Sequence, residues 1–144
     1  MEIRFENVNF GYTNHAGNLQ KQLRKLLLES VSCYDTAGEN FYHGLVLVLC
    51  AITNNRYYIS SNRESGDGRY DIQLMPRDLT NPGILIELRA DRNCSDAELK
   101  DLAQTALQQI QDKKYDTDMT AKGVLTIFKF GVAFSGKKVE VITA

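Results

Sequence analysis

Asn62-Arg63-Glu64-Ser65-Gly66-Asp67-Gly68-Arg69-Tyr70-Asp71-Ile72, followed after a short interval by Gly83-Ile84-Leu85-Ile86-Glu87-Leu88-Arg89, places a polar, glycine-bearing loop beside two apolar runs that carry charge at their ends. Side chains alternate across a strand, so Leu85, Glu87 and Arg89 share one face and Ile84, Ile86 and Leu88 the other, the second reading as core. Charged residues at i and i+2 lie roughly 6.5–7 Å apart along a strand and can address one ion or one phosphate. Asp71 comes from the preceding run. If the two runs are neighbours in a sheet, Asp71 and Glu87 converge on one divalent cation of the kind hard oxygen ligands favour, with carboxylates about 3–5 Å apart.

Working outward, Ser65 to Gly68 reads as a tight connection leading into a strand over Arg69 to Pro76, and Tyr57-Tyr58-Ile59 begins the strand before it. Asn81-Pro82-Gly83 is a second turn signal. Upstream, Leu19, Leu23, Leu26, Leu27 and Val31 recur at helical spacing from Asn18, with Lys21, Arg24 and Lys25 on the opposite side as a solvated face. Thr36-Ala37-Gly38-Glu39 has the form of a capping box and opens a second helix through Phe41, Leu45, Val48, Leu49 and Ile52, ended by Asn54 and Asn55. Glu39 and His43 lie four apart and so share a face of it. Downstream, the box Ser95-Asp96-Ala97-Glu98 starts a helix to about Lys113, with a stripe of Leu99, Leu102, Ala103, Ala106 and Ile110 and with Gln109 at its border. Val124 to Phe134 and Lys137 to Ile142 are strand-like and meet at Ser135-Gly136. Residues 1–17 form an N-terminal extension that alternates weakly up to Phe10 and is loop-like beyond it.

The order helix, helix, three strands, helix, two strands predicts an α/β domain with a mixed central sheet flanked by helices, because the helix between the third and fourth strands permits a parallel crossover. At 144 residues the chain fits one domain, 1–144, with enough length to bury a core unaided. Hydrophobic residues make up 43% and charged residues 24%, and no apolar run is long enough for a bilayer, which argues against a membrane role. Cys33, Cys50 and Cys94 are widely spaced and form no CxxC pair, so neither a disulfide framework nor a zinc site is signalled. With charges inside Met1 to Phe10 and no secretory leader, a reducing cytoplasm is the expected setting. The net charge of -1 means that any contact with nucleic acid depends on local cations. Arg63 and Arg69 in the loop are candidates, with Lys113, Lys114, Lys137 and Lys138 as further cations that solubility alone would also explain.

The acid at the end of one strand, the Glu-x-cation of the next and the following helix resemble the PD-(D/E)XK nuclease superfamily. The likeness is carried further by Glu39-Asn40-Phe41-Tyr42-His43-Gly44, by Ser61 through Ile72, by Ala106-Leu107-Gln108-Gln109-Ile110 and by Gly131 through Val139. In this wording the chain is similar to the bacterial subgroup commonly encoded behind an AAA-ATPase-like domain. The resemblance implies a restriction-endonuclease-like α/β core and a Mg²⁺ or Mn²⁺ site. Asp71 then matches the first acid, Glu87 the second, and Glu39 a helix glutamate found in part of the superfamily. Gln109 and Tyr115 are similar to a Gln and Tyr after the core helix of RecB-like members, at a spacing one residue longer. Tyr70 replaces the Pro of the family name, and Arg89 stands where Lys is expected.

The implied activity is metal-dependent hydrolysis of phosphodiesters in DNA, with RNA as an alternative. Asp71, Glu87 and Arg89 would be catalytic, Glu39, Asp71 and Glu87 would hold metal, and Arg63, Arg69, Gln109 and Tyr115 would touch nucleic acid. The rival reading is a nuclease fold with weakened turnover that binds nucleic acid or a protein partner such as an ATPase. Self-association is left open. Each site residue has a plain structural alternative: Asp71 and Glu87 as solvated or arginine-paired strand ends, and Glu39 as the third residue of its capping box.

Overall fold

A computed structural model describes residues 15–30, 39–52, 56–61, 64–65, 68–69 and 71–144. The helices are α1 (His15–Ser30), α2 (Glu39–Ile52), α3 (Asp96–Asp112) and α4 (Thr117–Ala121). The strands are β1 (Tyr57–Ser61), β2 (Glu64–Ser65), β3 (Gly68–Arg69), β4 (Ile72–Pro76), β5 (Gly83–Ala90), β6 (Ile127–Ser135) and β7 (Lys138–Thr143). Five of them form a mixed sheet in the order β1-β4-β5-β6-β7, while β2 and β3 make a small separate ladder between β1 and β4. β5 and β6 are parallel, joined through α3, and the other pairs in the large sheet are antiparallel. Among the described residues no helix is long and apolar enough to cross a membrane.

Helices cover both faces of the sheet, which explains why β5 is buried on both sides over Gly83–Leu88. On one face Ile72, Leu74, Ile84, Ile86, Leu88, Phe130, Val132 and Phe134 pack against Leu19, Leu23 and Leu27 of α1 and Tyr42, Val46 and Cys50 of α2. Both helical triplets recur every four residues and so form one stripe per helix. Burial pushes the Cys50 thiol up to about 12, leaving it a packing group. Tyr42 stacks on Phe134 at 4.3 Å between ring centroids, and its hydroxyl donates to the Gly136 carbonyl at 2.8 Å. That pair of contacts ties the first turn of α2 to the β6–β7 connection.

α3 lies across the other face. Its Ser95 cap and Glu98 close the expected box, the Ser95 hydroxyl accepting from the Glu98 amide at 3.2 Å. A Cβ on Gly131 would collide with the Ala103 carbonyl and lie 2.6 Å from the Leu107 amide, so only glycine lets the helix backbone rest on β6 at this point. At the outer edge of β7, the Val141 amide donates to Gln20 of α1 at 2.8 Å and the Val139 carbonyl accepts from Arg24 at 3.3 Å.

The structure differs from the sequence reading in four places. α1 starts at His15 rather than Asn18. Glu64–Ser65 and Gly68–Arg69 form their own two-strand ladder, so Arg69 pairs with Glu64 instead of opening β4. β6 begins at Ile127 rather than Val124, because the Val124 amide turns back to the Met119 carbonyl at 3.0 Å after Gly123, whose φ of 94° ends α4. α4 itself was not expected: its buried side chain is Met119 alone, too little for periodicity to register.

Candidate active site

Register brings the acids together. Ile72 pairs with Ile86 across β4 and β5, so Asp71, one step before the strand, falls opposite Glu87. Cross-strand partners in an antiparallel pair point to the same face. Asp71 sits in a bend rather than a ladder, and its Oδ2 accepts the Leu88 amide at 2.7 Å, so the side chain supplies the bond that ends the β4–β5 pairing. His43, reaching over from α2, places Nε2 3.3 Å from the Asp71 carbonyl. A carbonyl only accepts, so this nitrogen carries the hydrogen and Nε2 is not available as a metal ligand.

Glu87 is 2% exposed, with Gly131 beside it in the parallel register and α3 pressed onto that glycine. Its Oε1 accepts from Arg89 at 2.9 Å, while its Oε2 is buried with no hydrogen-bond partner among the described residues. Burial first, and the Asp71 charge second, push the Glu87 carboxyl up to about 7 against the opposing pull of Arg89.

Arg89 is held by three acceptors: Glu87, the Leu88 carbonyl at 2.8 Å and the Gln109 amide oxygen. Gln109 in turn donates to the Tyr115 hydroxyl at 2.9 Å. Tyr115 is buried after the end of α3, where Lys114 takes a left-handed φ of 53° and Asp116 pairs with Lys129 at 3.0 Å. Burial raises the Tyr115 phenol above its ordinary range; the Gln109 hydrogen bond opposes this, and the charges of Glu87 and Asp71 add to it. Four residues named from sequence, Glu87, Arg89, Gln109 and Tyr115, thus form one chain of contacts, with Asp71 opposite its first member. The Arg89 contact to Glu87 is through a single oxygen rather than a bidentate fork, because the second guanidinium nitrogen turns to Gln109.

Other candidates fall elsewhere. Glu39 opens α2 one turn before His43, but its side chain lies outside the described residues, as do Thr36, Arg63 and the side chain of Arg69. Among the described residues no group of three His, Cys, Asp or Glu side chains is placed to hold a metal ion. The donor set present is therefore two carboxylates, one with a buried, unshared oxygen, and this fits a hard cation better than any softer one. A cleft of about 490 Å³ runs along the solvent side of α3 past Gln104, Gln108 and Gln109.

Sequence reasoning missed three participants: the Leu88 amide, Gly131, and Gln73, which is 6% exposed with its Oε1 unpartnered among the described residues. The lone amide within Ile72-Gln73-Leu74-Met75 was the readable signal, because an apolar strand has no packing use for it.

No curated protein and no solved structure matches the chain. A family model described as the PD-(D/E)XK nuclease superfamily matches residues 37–144, which span α2, every strand and the helix lying over Glu87. With its mixed five-stranded sheet and flanking helices, the chain has a restriction-endonuclease-like fold and belongs to the PD-(D/E)XK nuclease superfamily.

Proposed function

We propose that the chain is a divalent-metal-dependent phosphodiesterase acting on DNA, with RNA as the alternative substrate. The observation that carries this reading is the pairing of Asp71 with Glu87, whose buried Oε2 has nothing to accept from among the described residues. Asp71 and Glu87 hold Mg²⁺ or Mn²⁺, with Glu39 as a further ligand from the start of α2. When bound, the ion supplies Lewis-acid stabilisation of charge on the scissile phosphate and acidifies a bound water.

The chain's own groups do the rest. Asp71 keeps one oxygen on the Leu88 amide and presents the other. Arg89 stays protonated and cannot act as a general base, so its part is to offset negative charge at the phosphate. Gln109, braced by Tyr115, fixes the guanidinium in place. Arg63 and Arg69 make the backbone phosphate contacts that position a strand without reading its sequence. A cytoplasmic setting and an AAA-ATPase-like partner belong to the same reading.

One observation favours a second reading, a binding module without turnover. Arg89 pairs with Glu87 at 2.9 Å, and a guanidinium on that acid competes with a cation for it. Incubating the protein with circular and linear DNA and with RNA, in Mg²⁺, Mn²⁺ or chelator, separates the two. Cleavage that needs metal and disappears in Asp71→Asn supports the nuclease. Binding without cleavage under every condition replaces it with the binding module.

A further inference from the structure

Two buried side-chain oxygens among the described residues lack a hydrogen-bond partner, Glu87 Oε2 and Gln73 Oε1, and both lie on the sheet face that α3 covers. Gln73 pairs with Leu85, and Glu87 follows Leu85 by two residues on β5, so Gln73 and Glu87 are diagonal neighbours across β4 and β5. Such a pair has Cα atoms roughly 7–8 Å apart, a gap that two long side chains span. Asp71 precedes Gln73 by two residues on the same face. The three oxygen-bearing side chains therefore occupy adjoining corners of one patch of sheet.

Packing does not explain the amide. Ile72 and Leu74 on either side belong to the opposite core, and Met75, two residues beyond Gln73 on the same face, joins the apolar cluster of Leu85, Ile110 and Tyr115. An apolar side chain at position 73 would extend that cluster. An amide oxygen placed there without a donor, diagonal to a carboxylate oxygen in the same condition, matches a space occupied by a species that accepts lone pairs from both. Among the described residues neither oxygen accepts a hydrogen bond from the protein.

We infer that Gln73 is the third oxygen donor of the cation site, its Oε1 joining Asp71 and Glu87 either on the ion or through one water that the ion orders. The inference rests on the metal reading of those two acids. A neutral donor suits the place, because hard cations take amide carbonyl oxygens alongside carboxylates.

Calorimetric titration with Mn²⁺ tests the assignment in the wild type, Asp71→Asn, Gln73→Leu and Gln73→Glu, with melting temperatures measured in chelator. The wild type binds, Asp71→Asn does not, Gln73→Leu binds about 10- to 100-fold more weakly, and Gln73→Glu binds more tightly. Gln73→Leu without metal melts at or above the wild-type temperature, since a buried oxygen with no donor has been replaced. Gln73→Met keeps the unbranched shape and carries the same expectation if the leucine variant does not fold. Wild-type affinity in Gln73→Leu, with binding lost in Asp71→Asn alone, overturns the role of Gln73 and leaves the two-acid site standing. A reversed amide that serves Glu87 as a plain hydrogen-bond donor gives that same affinity with a lowered melting temperature in chelator. Absence of Mn²⁺ binding in the wild type overturns both.

Discussion

The Asp71 carboxylate and the Leu88 backbone amide, 2.7 Å apart, are joined so that the candidate metal ligand is also the group that closes the strand pair. Two roles in one side chain separate under substitution. Asparagine keeps an oxygen for the amide and loses the charge; alanine loses both. Asp71→Asn should therefore melt close to the wild type in chelator, and Asp71→Ala should be destabilised by about 1–3 kcal/mol. Neither variant should gain melting temperature on adding millimolar Mg²⁺ or Mn²⁺, whereas the wild type should.

Glu87 makes stability depend on pH. Its carboxyl has an ordinary value of 4.5 and stands at about 7 in the folded chain, so the folded state holds the proton more tightly than the unfolded state. The contribution is whole below the lower value and is lost as pH rises through the higher one, on the order of 3 kcal/mol in all. Denaturant melts at closely spaced pH in chelator should show this decline between those two values. Glu87→Gln should flatten it and be the more stable protein at pH ~8, and saturating Mn²⁺ should narrow the difference by stabilising the wild type alone.

Arg89→Lys exchanges a guanidinium fixed by three acceptors for an ammonium that can lose its proton when desolvated. Initial cleavage rates in saturating Mg²⁺ should rise at least about tenfold, short of the 10²–10⁴ that a well-placed acid or base contributes. Equal rates in the two proteins would show that position 89 acts through charge alone.

Gly131→Ala should be among the most damaging single-methyl changes in the chain. The added carbon meets the backbone of α3 at Ala103 and Leu107, which cannot turn aside as a side chain tip would. A loss of about 1–3 kcal/mol or more is expected from overpacking. Because the same helix carries Gln109, amide shifts at Arg89 and Gln109 should move together in spectra of the folded variant.

His43 should hold its hydrogen on Nε2, and long-range ¹⁵N–¹H correlation spectra at alkaline pH read this directly. His43→Gln can place an N–H near the same carbonyl and should retain wild-type Mn²⁺ affinity. His43→Ala should not, if the contact at 3.3 Å sets where Asp71 sits.

Much of this arrangement was legible in the chain, and the reasons differ by element. Glu87 and Arg89 share one face because the alternation in Gly83 to Arg89 admits a single reading, and the order of elements permits the parallel β5–β6 pair that buries Glu87. The Ser95 box located α3 to within a residue. Gln109 was placed at the border of the helical stripe, where it meets Arg89. What stayed hidden depends on tertiary register: the union of Asp71 with the Leu88 amide joins the bend before β4 to β5, and no local pattern encodes it. His43 shows the same limit, since helical spacing gave its face and not the carbonyl it would meet.

α1 precedes the residues that match the superfamily, yet its Gln20 and Arg24 occupy the outward-facing backbone groups of β7 at Val141 and Val139. Stripped of that helix, the last strand would offer its amides and carbonyls to any extended chain nearby, including another copy of itself. The leading helix is thus a guard against templated growth of the sheet, and its loss would be felt first as aggregation rather than as a change in chemistry.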